Sequence, residues 1–191
     1  QSDWWRAQWM NSLRNQSSQR ISSSVIIISS SMNSLQWHLN RSGLSNVLLL
    51  DLLKNIDIGK KYFKGIYAVD NIPKFLSSLE QFIVIINIGM HFVTLYGKPN
   101  LLVYIDSFGN PPPSSMKKFL STCKRKIVSN IKQIQSPYSS HCGLYAVLYV
   151  LFFNTREMRK KCKTIVFDKN DLLKNDDICI SHIKYYVSLY V

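Results

Sequence analysis

From Gly143 to Phe153 the chain runs eleven apolar residues without a break. A helix that is apolar all round has no face to turn to water, so it must lie at the centre of a core. It is also far short of the about 20 residues needed to cross a bilayer, as is Val25-Ile26-Ile27-Ile28. The rest of the chain therefore has to build layers around this one element. With 191 residues, 46% hydrophobic and 12% aromatic, there is room for one globular domain and a tail.

Residues 1 to 45 are rich in Ser, Asn, Gln and Arg, with tryptophans at 4, 5, 9 and 37, and read as a disordered or low-complexity N-terminal tail. Gln1 is not an initiator, so a fragment or processed form is expected. The ordered domain is expected over 46–191. Asn46 to Lys54 reads as a short helix, and a turn is expected at Asp70-Asn71-Ile72-Pro73. Phe82 to Ile88 is a β-branched run of the kind found in strands covered on both faces. Gly97-Lys98-Pro99-Asn100 reads as the turn of a hairpin between His91–Tyr96 and Leu101–Asp106. The three prolines at 111–113 predict a helix from about Ser114 to Lys124, because proline suits a helix start and excludes one just before it. A strand over Ile127–Ile134, the central helix over Cys142–Asn154 and a last helix capped by Asp168 or Asn170 complete the pattern.

At the mouth of the apolar helix stands Cys142, seven residues after Gln135. The unpaired N–H groups of a helix start favour a thiolate, which is the nucleophilic form of cysteine. A histidine would favour it further as an imidazolium. His91 opens one strand of the expected hairpin and Asp106 ends the other, which makes them neighbours. A carboxylate there would orient the imidazole and favour its charged form. The Gln135 amide and the Cys142 N–H could then stabilise an oxyanion. His141, next to the nucleophile, reads as a rim residue and not the base. Taken singly each residue has an ordinary structural reading; their order and placement assemble the parts of a cysteine protease.

The run His-aromatic, then Tyr-hydrophobic-Asp-Ser-Phe-Gly, then Gln-x-Pro-x-Ser-x-x-Cys-Gly-Leu resembles the adenain-like cysteine proteases. These include the adenovirus protease and the proteases of Polinton/Maverick DNA transposons, within a wider clan that holds the SUMO-specific proteases. Gly65-Ile66-Tyr67 with Ile72-Pro73, and Asp106 to Pro113, resemble the Polinton form, and the likeness covers residues 47 to 155. It implies an α+β fold of the papain-like, adenain-like type: a small, mostly antiparallel sheet packed on a central nucleophile-bearing helix. It implies His91 as general base, Asp106 as orienting acid, Cys142 as nucleophile and Gln135 as oxyanion donor, cleaving near glycine. The adenovirus enzyme has glutamate at the place of Asp106, and Phe92 replaces a tryptophan common in the family. The tail after Cys142 is shorter than in the adenovirus protein.

The 24 Lys+Arg against 11 Asp+Glu leave a net charge of +13, an excess that favours a polyanion such as DNA. Lys117, Lys118, Lys124, Arg125 and Lys126 are the candidate contacts. The chemistry itself needs no cofactor. The adenovirus relative implies DNA and a peptide, disulfide-linked before the nucleophile, as activators; Cys123 is the candidate thiol. The four cysteines show no metal-ligand spacing, and no secretory signal precedes them. An intracellular, nuclear or virion-associated monomer acting on protein or peptide, without a membrane, is expected. The rivals are a deconjugating protease for SUMO-like modifiers, for whose broad surface the chain reads as short, and a catalytically dead basic DNA-binding relic.

Overall fold

The computed structural model describes residues 44–55, 62–154, 159, 160 and 165–190. The expected tail up to residue 43, Cys162 and most of the basic loop after the central helix lie outside the described residues. Helix α1 (Asn46–Asn55) leads into strand β1 (Phe63–Ala68), followed by β2 (Phe82–Asn87), β3 (Phe92–Lys98) and β4 (Leu101–Ile105). Then come α2 (Lys117–Thr122), β5 (Lys126–Ser129), α3 (Cys142–Asn154) and α4 (Leu172–Tyr190).

The five strands stand in chain order in one sheet. The centre, β2–β3–β4, is antiparallel, with Lys98 paired to Leu101, so the hairpin turns on Pro99-Asn100 alone. The two outer pairings, β1 with β2 and β4 with β5, are parallel. The sheet is therefore mixed and not mostly antiparallel. The physical reason is the connections: two long crossovers, through 69–81 and 106–125, bring the chain back to start its next strand in the same direction. These crossovers supply one cover of the sheet. Leu76 from the first and Met116, Phe119, Leu120 and Cys123 from the second pack on Phe82, Val84, Ile86, Val93, Leu95, Leu102 and Tyr104.

Helix α3 lies against β2 and β3, with Thr94 Oγ1 donating to the Ala146 carbonyl at 3.2 Å, and carries α4 and α1 on its outer sides. This explains why β2 is fully buried from Phe82 to Ile86 and why α3 has no polar stripe. Gly143 lets α1 approach: a Cβ there would lie 3.0 Å from Leu49 Cδ2. Gly97 makes a slot in β3 that the Phe82 ring and the Arg125 guanidinium enter, at 2.3 and 2.5 Å from where its Cβ would stand.

Three boundaries differ from the sequence reading. The helix after the prolines begins as a 3-10 turn at Ser114–Met116 and becomes α-helical only at Lys117. The strand expected over 127–134 closes after Ser129, because the chain then leaves the sheet to bond with the Asp106 turn. Asp171, not Asp168 or Asn170, caps α4, its Oδ1 accepting the Lys174 N–H at 3.1 Å. Asp168 instead accepts from Asn170 and Asp171 one turn earlier. Among the described residues no helix is long and apolar enough to cross a membrane.

Candidate active site

His91 is delivered by a tight turn between β2 and β3. Gly89 takes a φ of +108°, open to glycine and rare for other residues, and the Ile88 N–H donates to the His91 carbonyl at 2.9 Å. Thr94 pairs with Ile105, so Asp106 falls opposite Val93, and His91 is its diagonal neighbour on the same side of the ribbon. The diagonal closes: His91 Nε2 and Asp106 Oδ1 are 2.6 Å apart. The Phe108 ring stacks on the imidazole with centroids 4.7 Å apart, and its N–H donates to Asp106 Oδ1 at 2.8 Å.

Burial alone would discourage charge on both partners. For His91 that penalty is outweighed by the Asp106 hydrogen bond, by the Cys142 side chain and by the charge of both, and its pKa is pushed up to about 9. For Asp106 burial is likewise outweighed, by the His91 and Phe108 hydrogen bonds and the imidazolium charge, and its carboxyl sits below the ordinary value. The pair is thus imidazolium–carboxylate at neutral pH. With Nε2 taken by Asp106, Nδ1 is buried without a nitrogen or oxygen partner and is the ring atom left to serve the Cys142 thiol. Cys142 opens α3, as the sequence predicts, and is 8% exposed.

Asp106 is held by a residue that sequence reasoning missed. Asn130, at the end of β5, accepts the Asp106 N–H on Oδ1 at 2.8 Å and donates from Nδ2 to the Asp106 carbonyl at 2.6 Å. Ser107 is missed as well. Its carbonyl accepts the N–H groups of Ile134 and Gln135 at 2.9 and 3.0 Å, and its hydroxyl donates to Gln135 Oε1 at 2.5 Å. Gly109, with φ +75°, lets this turn touch the neighbouring segment: a Cβ there would stand 2.8 Å from the Gln133 nitrogen. Asn and Ser after strands are common enough to carry no signal until the chain has closed around them.

Gln135 is fully buried. With its oxygen fixed by Ser107, its Nε2 faces the segment leading to Cys142, donating to the Ser139 carbonyl at 2.9 Å with Ser139 Oγ 3.3 Å away. His141 faces Ser139 Oγ and Asp176 Oδ2 through Nδ1, at 3.3 and 3.4 Å. The structure therefore brings His91 to Asp106, sets the Cys142 side chain near enough to help raise the His91 pKa, and joins Gln135 to the Asp106 turn through Ser107.

The other candidates lie elsewhere. Lys117, Lys118, Lys124 and Lys126 are exposed. Arg125 is drawn partly inside, over the Phe82 ring at 5.5 Å and donating from Nη2 to the Leu79 carbonyl. Cys123 belongs to the core at 4% exposure, its thiol pKa pushed up by burial.

The sequence matches no family model and no curated protein. Solved structures share its fold. The ASFV pS273R protease matches with a TM-score of 0.54 at 14% identity, over 80% of this chain and 69% of that one. The C-terminal Ulp1 protease domain, solved in complex with Smt3, the yeast ortholog of SUMO, matches at 0.50 and 11% identity, over 82% of this chain and 92% of that one. The α+β fold of this chain is the one seen in the pS273R protease and the Ulp1 protease domain.

Proposed function

We propose that the protein is a cysteine endopeptidase that hydrolyses peptide bonds near glycine. The observation that carries this reading is the 2.6 Å His91–Asp106 ion pair held beside the helix start that bears Cys142. The thiolate sulfur attacks the scissile carbonyl carbon while the Cys142 N–H receives the oxyanion, joined by the Gln135 amide once one of its N–H groups turns from Ser139. The C–N bond breaks as the His91 imidazolium gives its proton to the leaving amine, leaving an acyl-thioenzyme. Water, deprotonated by His91, then attacks the thioester and releases the acid and the thiolate. Asp106 holds the ring's orientation and favours its charged form throughout. The motif resemblance supports proteins of a viral or Polinton-type mobile DNA element as substrates. The exposed lysines at 117, 118, 124 and 126 support DNA as a partner.

The test is hydrolysis of a Gly-Gly aminocoumarin peptide by the wild type and by Cys142→Ala, with and without duplex DNA. Release by the wild type alone is expected, faster with DNA if DNA is an activator. No release under either condition, together with no preferential alkylation of Cys142 by iodoacetamide, overturns the reading.

Deconjugation of a SUMO-like modifier is the second reading, favoured by the likeness to the Ulp1 domain. The expectation that this chain is too short for a modifier surface loses its force, since the match spans 92% of that domain. A folded SUMO–peptide fusion cleaved with a kcat/KM far above that of the Gly-Gly peptide would select it.

A further inference from the structure

Two polar residues in the first turns of α4 are buried where a packing helix would ordinarily place apolar ones. Asn175 is fully buried and Asp176 is 7% exposed. Buried polar groups cost stability unless bonded, and both are bonded in one direction. Asn175 Oδ1 accepts the Asp168 N–H at 2.6 Å, while its Nδ2 donates to the carbonyls of Asp168 and Ile134, both at 2.9 Å. Asp176 Oδ1 accepts the Tyr145 hydroxyl at 2.9 Å, and its Oδ2 lies 3.4 Å from His141 Nδ1. Burial, with Cys179 and Asp176 nearby, raises the Tyr145 pKa, so that hydroxyl remains a donor.

These partners mark the two ends of one loop. Ile134 immediately precedes Gln135, and His141 immediately precedes Cys142. Tyr145 stands three residues after Cys142, on the same face of α3. From the opposite side Ser107 holds the Ile134 and Gln135 N–H groups and the Gln135 oxygen. The loop is thus pinned between the Asp106 turn and α4.

We infer that Asn175 and Asp176 are positioning residues: they clamp both ends of the Ile134–His141 loop and so fix the Gln135 amide and the Cys142 N–H relative to the thiol. The inference rests on the protease reading above. It separates two halves of the site, because His91 and Asp106 hold the thiol's partner without help from α4, whereas the oxyanion side depends on it.

The experiment compares full-length wild type, Asn175→Ala, Asp176→Ala and Asp176→Asn for Gly-Gly aminocoumarin hydrolysis and for iodoacetamide alkylation of Cys142, each per folded protein as measured by circular dichroism. Asp176→Ala and Asn175→Ala should lower kcat by about 10- to 100-fold, the scale of a small misplacement of catalytic groups, with KM unchanged. Alkylation, which forms no oxyanion, should keep its wild-type rate. Asp176→Asn, which retains an acceptor for Tyr145, should recover most of the loss. In a Gln135→Ala background Asp176→Ala should add little, since both act on one device. Unchanged kcat, a loss of alkylation in step with turnover, or full additivity with Gln135→Ala overturns the inference alone. A wild type inert in both assays overturns the protease reading and this inference with it.

Discussion

His91 is pulled in opposite directions, since burial disfavours its charge while Asp106 and Cys142 favour it, and the partners win. Its raised pKa contributes stability that is fully present below the ordinary 6.5 and is lost as pH rises through about 9. The lowered Asp106 contributes stability present above its ordinary 3.8 and lost as pH falls below it. Melting temperature followed against pH should therefore hold steady from the ordinary 3.8 of an aspartate to the 6.5 of a histidine, decline from there to about pH 9 and level off in this term beyond it, with His91→Ala removing most of that alkaline limb. Iodoacetamide at pH 6 should label Cys142 ahead of Cys123 and Cys179, whose thiols burial pushes upward. Mass spectrometry reads this by site, and His91→Ala should erase the advantage. Cysteine at a helix start, histidine at a strand start and aspartate at a strand end were visible in the chain, because their chemistry is tied to local position. Asn130 and Ser107 were not, because each acts on backbone groups that only tertiary closure brings near.

At the scale of elements, the strands and the central helix were legible from β-branched runs and an unbroken apolar stretch. The parallel outer pairings were not, since strand direction depends on how a crossover returns and not on the strand's own residues. The role of Gly97 was equally hidden: it looked like part of a turn but is a slot in β3 filled by Phe82 and Arg125. Gly97→Ala should cost about 1–3 kcal/mol through overpacking, measured as a lower urea midpoint at an unchanged slope. It should also free the Arg125 guanidinium from the Leu79 carbonyl.

For the whole molecule, a net charge of +13 has its clearest consequence in salt dependence. If DNA binds over Lys117, Lys118, Lys124 and Lys126, the logarithm of its affinity should fall linearly with log salt. Changing two of these lysines to glutamate should flatten that slope by about 2, roughly one for each phosphate that is no longer neutralised. Fluorescence anisotropy of a labelled duplex gives both numbers. Arg125, held inside, should contribute little to the slope.

The strands stand side by side in the order in which they are joined. Closing a short loop costs less chain entropy than closing a long one, and local pairings form early. The β3–β4 ribbon, turning on two residues, should thus gain amide protection first in pulsed hydrogen exchange, ahead of the two crossover pairings. Because His91 and Asp106 flank that ribbon, the two would meet while α3 is still undocked. In that order of events α3 carries Cys142 to a His91–Asp106 pair that is already made.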